Sequence, residues 1–348
     1  MLTENFMNHV FNGSTMTFAI NKAANQYGLL DDINLAPIKG IGTTTALIKY
    51  KDGKVSVLPS RERGGPRTER KLSDEKSVYV EVPHFPNGGL ITPMDIQNRY
   101  QFTDDNFIPA TVDMELADHA ADLRFDHDIT LEYIRMGMLF GQIKDGEGNE
   151  LANLHTDLGV PKTTINFQLG NATTDVNKKC REVRRHFRKN ARGMMISGKP
   201  LLLVSTDFFD MLKVHPNVEK FYLNYQDARA LRGGDNENDG PDYGEKFEFG
   251  NCIFQSYDAQ VPLADDTSVD LIPQGEGVAI PLRTKKLFTT FVAPPNRTDT
   301  VNQAPTAENY VYVSSEILKH NKGVDMDLES NMIAVNTRPD LVPVLTAT

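Results

Sequence analysis

The sequence predicts an α+β protein in which one long helix with flanking strands accompanies a central α/β unit. Three observations predict it. Val112, Leu116, Ala120, Leu123, His127, Leu131, Ile134 and Met138 recur in steps of four, four, three, four, four, three and four, one face of an uninterrupted amphipathic helix. Asp-Gly pairs at Asp52-Gly53 and Asp145-Gly146 mark tight hairpins. From Lys199 onward, short apolar strands alternate with capped helices.

In chain order, residues 1–42 read as an arm. A short helix follows Ser14, with Met16, Ile20, Ala23 and Tyr27 on one face and Gly28 closing it. Strands over 43–50 and 54–58 flank Asp52-Gly53, and Val78, Val80 and Val82 alternate with Tyr79 and Glu81 as a returning strand. Between them, residues 60–71 are charged, glycine-bearing and without apolar periodicity, so they cannot pack a core. The result is a two-stranded extension over 43–83 with a polar tip. Such a ribbon is marginal alone in water and is expected to lie on something else. Prolines 83, 86, 93 and 109 punctuate the link to the long helix.

That helix is expected over 111–142, a rod of roughly 45 Å, with Asp113, Asp118, Asp122, Arg124, Asp126, Glu132 and Arg135 away from its apolar stripe. A hairpin over 142–151 follows. A second helix over 174–192 carries Lys178, Lys179, Arg181, Arg184, Arg185, Arg188, Lys189 and Arg192 against a lone Glu182, the charges running round the cylinder, and Gly193 ends it. Then come a strand over 201–204, a Ser205 or Thr206 cap, a helix through Phe208 and Leu212, and a break at Pro216. Asn217 is expected to cap another helix ending at Gly233-Gly234. Strands are expected near 247–257, 278–281, 287–292, 310–313 and 331–335.

Composition narrows the class. At 348 residues, 39% hydrophobic and 24% charged, the chain suits about two globular domains. A net charge of -10 argues against tight general nucleic-acid binding, which depends on Lys and Arg releasing counterions. Two cysteines outside any ligand-pair spacing fit a reducing compartment. The first ten residues lack a signal-peptide pattern, and no apolar run nears the roughly 18 residues of a membrane span. A soluble protein that stays in the cell making it is expected.

Several stretches together resemble the lambda-like E family of tailed-bacteriophage major capsid proteins. They are Arg63-Gly64-Gly65, Val82-Pro83-His84-Phe85, Leu90-Ile91-Thr92-Pro93-Met94-Asp95-Ile96-Gln97, the helix end and hairpin over 136–151, and Pro281-Leu282-Arg283-Thr284 with Phe291-Val292-Ala293-Pro294-Pro295-Asn296. The resemblance spans nearly the whole chain in the right order. It implies the Hong Kong 97 type of fold: an N-terminal arm (1–42), an extension loop (43–90) lying over a neighbouring subunit, a peripheral domain (91–195 and 285–348) and an axial domain (196–284). It further implies a structural subunit that self-assembles into pentamers and hexamers of an icosahedral shell around double-stranded DNA. Scaffolding, portal and decoration proteins would be partners, with assembly in the bacterial cytoplasm and residence in the virion capsid. Packaged DNA would be touched weakly and without sequence preference. No enzyme activity, cofactor or membrane contact is expected.

Candidate contact residues follow. Arg61, Arg63, Arg67 and Arg70 in the extension would meet a neighbouring subunit. Lys178, Arg181, Arg184, Arg185 and Arg188 would form either a salt-bridge surface between subunits or a DNA-facing one. The competing function is an intracellular nucleic-acid-binding protein using residues 178–192. Asp235-Asn236-Glu237-Asn238-Asp239-Gly240 echoes a calcium loop, but Pro241 stands at the seventh position and Lys246 at the twelfth, where a bidentate Glu is needed, so a solvated acidic loop is expected. His119 and His127 are eight apart, not the four of a zinc helix, and His127 in the apolar stripe reads as a hydrogen-bonded core histidine. No glycine-framed serine, phosphate-cradling loop or His–Cys pair marks a catalytic site.

Overall fold

The architecture is that of a computed structural model, which describes residues 28–51, 75–97, 100–103, 106–109, 111–191, 194–219, 243–263, 267–284, 286–307 and 309–348. The expected helix after Ser14 and the strand over 54–58 lie outside these residues, as does most of the helix expected to end at Gly233-Gly234. Its first turn is described at 216–219, so it starts at Pro216, one residue before the expected Asn217 cap. Instead of capping, the Asn217 amide donates to the Thr174 carbonyl.

The chain forms two compact units, one of residues 1–46, 80–135 and 289–335, the other of residues 47–79, 136–288 and 336–348. In the first, a five-stranded sheet is ordered Ile38–Gly40, Phe288–Val292, Val324–Asn336, Val311–Ile317, with His84–Ile91 also paired to Val324–Asn336. That long strand organises the sheet: Val324 to Asn331 pair antiparallel with Ile91 to His84, and Ser330 pairs with Val311. The sequence suggested only its last part, 331–335. The earlier part alternates buried Val324, Met326 and Leu328 with exposed Asp325 and Asp327, which is the pattern of a one-sided strand. From Leu328 to Asn336 every residue is buried, Glu329, Ser330 and Asn331 included, so alternation gives way to a strand covered on both faces.

The spine helix is Val112–Phe140. In its portion within the first unit, Leu116, Ala120, Leu123, His127, Leu131 and Ile134 are buried as the stripe requires, while Val112 at the first turn is exposed. Gly89 in His84–Ile91 lets that strand reach the helix closely: a Cβ there would stand 2.3 Å from the His119 Nε2.

The ribbon pairs Thr45–Lys51 with Glu75–Glu81, and the Val82 N–H donates to the Thr44 carbonyl. Ala46, Ile48, Val80 and Val82 are buried, whereas Leu47 and Tyr79 are exposed. The base of the extension therefore covers one of its own faces within the chain, and the two-residue alternation decides which.

The second unit is built on a six-stranded mixed sheet, ordered Lys246–Phe249, Cys252–Ser256, Leu201–Val204, Glu276–Ile280, Val344–Thr346, Thr164–Asn166. All four residues of Leu201–Val204 are buried, as befits a strand flanked on both sides and both faces. It runs parallel to Cys252–Ser256 and antiparallel to Glu276–Ile280. Helix Thr206–Val214 begins at Ser205, whose Oγ accepts from the Phe208 N–H at 3.3 Å, and buries Phe208, Phe209 and Leu212. Phe167 packs edge-on against Phe208 and Phe254, at 5.4 and 6.1 Å between centroids.

Candidate interaction surfaces

The basic helix is Val176–Asn190. Asp175 caps it, its carboxylate accepting from the Lys178 N–H at 3.0 Å. Val176, Cys180, Val183 and Phe187, spaced four, three and four, form a buried seam. The charges therefore do not run round the cylinder, as the sequence reading held; the seam confines them to the remaining face. Lys178, Arg181, Arg185 and Arg188 are exposed and Arg184 is half-buried. Arg181 reaches Asp175 at 3.5 Å and Lys179 reaches Glu182 at 3.6 Å. Among the described residues, Lys178, Arg184, Arg185 and Arg188 make no ion pair.

The helix's C-terminal end is fixed from below. His186 Nε2 lies 2.9 Å from the Asp340 carbonyl oxygen, and Arg338 donates to the Asn190 carbonyl at 2.7 Å while gripping Asp340 through two bonds of 3.0 Å. Between this end and the edge strand Thr164–Asn166 opens a cleft lined by Thr163, Thr164, Ile165, Arg185, His186 and Arg188. Glu182 and Lys189 line it as well, so Arg185, Arg188 and Lys189 outweigh one carboxylate, and burial lowers the His186 pKa. A cationic cleft beside an exposed backbone edge suits carboxylates or phosphates.

The first unit holds a polar system that the sequence reading misplaced. Arg124, Glu132 and Arg135 lie away from the apolar stripe of the spine helix, yet all three are buried with Asp128. Arg124 donates to Asp128 at 2.9 Å and to the Tyr310 hydroxyl at 2.6 Å, and that hydroxyl donates to Asp128 at 2.6 Å. The Arg124 guanidinium also lies 4.4 Å from the centre of the Tyr310 ring. Glu132 accepts from the Leu30 N–H at 3.1 Å. Arg135 donates to Asp31 at 2.5 Å and to the Ala36 carbonyl at 3.4 Å. The segment from Leu29 to Ala36 thus covers the helix face that carries Glu132 and Arg135. A signal existed: residues 124, 128, 132 and 135 repeat the four, four, three spacing of the apolar stripe.

His127 belongs to the same core. Its Nδ1 lies 2.8 Å from the Ser330 Oγ, and burial, reinforced by Arg124, lowers its pKa to about 4. His119 is half-buried beside Gly89. Arg61, Arg63, Arg67, Arg70 and the 235–240 loop lie outside the described residues. Among the described residues, no group of three His, Cys, Asp or Glu is placed to hold a metal ion, and no helix is long and apolar enough to cross a membrane.

The family model described as phage major capsid protein E matches residues 13–347. The chain belongs to that family. This capsid protein is 25% identical to the major capsid protein of Salmonella phage Felix O1, the match covering 94% of each chain. It is 24% identical to that of Pseudomonas phage KPP10, over 91% of this chain and 92% of the other. Among solved structures, a phage-related protein of Bordetella bronchiseptica RB50 superposes with a TM-score of 0.54 at 9% identity, covering 97% of each chain. The capsid protein of cyanophage P-SCSP1u gives 0.53 at 10% identity, covering 94% and 90%. These likenesses show the Hong Kong 97 type of fold. The capsid protein is a structural subunit of a bacteriophage virion.

Proposed function

We propose that this capsid protein self-assembles into pentamers and hexamers that close an icosahedral shell around packaged double-stranded DNA. The observation that carries the reading is the family match across residues 13–347, which includes the ribbon and both units. Unequal rings from one sequence require head-to-tail contacts that tolerate change. Two surfaces suit that demand. Residues 61–70 of the extension carry Arg61, Arg63, Arg67 and Arg70 against two glutamates, and these arginines meet carboxylates of a neighbouring subunit. The exposed Lys178, Arg181, Arg185 and Arg188 form a second contact, with carboxylates of another copy or weakly with DNA phosphates. In this reading residues 91–195 and 285–348 act as the peripheral domain and 196–284 as the axial one. Scaffolding, portal and decoration proteins complete the particle in the bacterial cytoplasm, and the subunit performs no catalysis.

The exposed basic face also supports a second reading, a small nucleic-acid-binding protein. Sedimentation and electron microscopy of the purified full chain separate the two. Rings or closed particles are expected. A monomer at high concentration whose DNA affinity falls steeply with salt would favour the second reading instead.

A further inference from the structure

Within the second unit the chain's two cysteines meet. Cys180 sits on the buried seam of the basic helix, and Cys252 opens the strand Cys252–Ser256. Both are fully buried, but Cys252 directly follows the exposed hairpin-turn residue Asn251. The Cys252 Sγ donates to the Cys180 carbonyl oxygen at 3.9 Å, and each cysteine shifts the acidity of the other. The helix and the hairpin turn are in close contact. A Cβ on Gly250, whose φ is +60°, would fall 2.6 Å from the Cys180 Cβ and 2.8 Å from its Sγ. Only glycine permits both that approach and that backbone conformation.

A buried cysteine often serves as nothing more than a small apolar side chain. Two features set this pair apart. A buried residue touches about 6–12 others, so two cysteines placed independently in a core of this size seldom touch. Their acidities are also driven apart. The hydrogen bond from Cys180, aided by Arg184, lowers the Cys252 pKa, while the same bond and burial raise that of Cys180. Cys252 stands next to the exposed turn and is the sulfur a peroxide meets first, which leaves Cys180 beside it as the resolving cysteine.

We propose that Cys180 and Cys252 are a site of intramolecular disulfide formation, at which a small peroxide joins the basic helix to the adjacent hairpin. The Cys252 thiolate attacks one oxygen of hydrogen peroxide and breaks the O–O bond. This gives a sulfenic acid and a hydroxide that is protonated to water. The Cys180 sulfur then attacks the Cys252 sulfur and expels hydroxide, which leaves as a second water with the Cys180 proton. Two thiols and one peroxide become one disulfide and two waters. In a reducing compartment the pair stays as thiols, and outside one the link persists. The bond would close a loop between residues 72 apart, large enough to constrain the unfolded chain strongly. The site lies in one unit of one chain, so it does not depend on the shell-forming reading.

The test exposes the full chain to hydrogen peroxide, alkylates remaining thiols and maps the peptides without reduction. The expected result is the Cys180 peptide joined to the Cys252 peptide of the same chain, with a rise in melting temperature of roughly 5 °C reversed by dithiothreitol. Both thiols still alkylated, links between chains, or Cys252 oxidised to sulfinic acid without a link would each overturn the proposal. Cys180→Ala should accumulate a dimedone-reactive sulfenic acid at Cys252, and no adduct there would overturn its assignment as the attacking thiol. Should that variant fail to fold, the wild-type peptide map still decides whether the disulfide forms.

Discussion

Arg124, Asp128 and Tyr310 show how much a few buried polar atoms can decide. Each satisfies the others, and removing one partner leaves an uncompensated charge or hydroxyl in the core. Arg124→Ala is expected to destabilise the unassembled subunit by about 3–5 kcal/mol, measured by denaturant unfolding. An apolar triple replacement of similar volume should cost far less, because it strands no polar group. His127 gives the subunit a pH response. Its folded pKa of about 4 lies below the ordinary 6.5, so the unfolded chain takes up its proton first. The stability of the neutral form is complete above pH 6.5 and declines as pH falls towards 4, by about 3 kcal/mol in all. Burial raises the Glu329 pKa and moves stability the opposite way. The difference between wild type and His127→Gln in melting temperature from pH 7 to pH 4 isolates the histidine. No widening or narrowing of that difference would refute the assignment. The histidine's core role was legible in the stripe. The burial of Glu132 and Arg135 was not, because hydropathy places charges outside and only the covering segment from Leu29 to Ala36 brings their partners.

The elements were legible where one local rule governs them. The spine helix kept its apolar spacing from Leu116 onward, and Leu201–Val204 was marked by a run of four apolar residues. Only the last part of Val324–Asn336 is legible as a strand, because it obeys two rules in succession, alternation and then continuous burial. The seam of the basic helix is hard to see in the sequence because Val176, Cys180, Val183 and Phe187 are outnumbered by the cations between them. Its exposed face carries a prediction. Arg185→Glu with Arg188→Glu should leave the unassembled subunit's stability within about 0.5 kcal/mol while lowering particle yield, scored by circular dichroism and sedimentation. Normal assembly would make that face a solvated one. The extension tip carries another. Deleting residues 61–70 removes four arginines, two glutamates and no large apolar side chain, so the subunit should fold and melt as before but assemble poorly. Exposed ion pairs are worth about 0–1 kcal/mol each. A closed shell repeats them round every ring, so raised salt should reproduce part of the defect. A deletion variant that no longer folds would show the tip to be part of the subunit's own core.

At the scale of the whole molecule, an acidic chain of net charge -10 exposes Arg181, Arg185 and Arg188 on the basic helix, and its sequence carries four more arginines within residues 61–70. Like-charged subunits repel at long range, so contacts between copies must concentrate cations against carboxylates. The ribbon base buries Ala46, Ile48, Val80 and Val82 within the chain, and the proposed shell has the tip beyond it act between copies. The family match spans this region together with both units. The most direct test of the shell account is a cryo-electron microscopy reconstruction of particles formed by the full chain. The account predicts pentamers and hexamers, with density for residues 61–70 lying against a neighbouring subunit. Density for those residues folded back on their own subunit, or a full chain that forms no ring or particle, would contradict it.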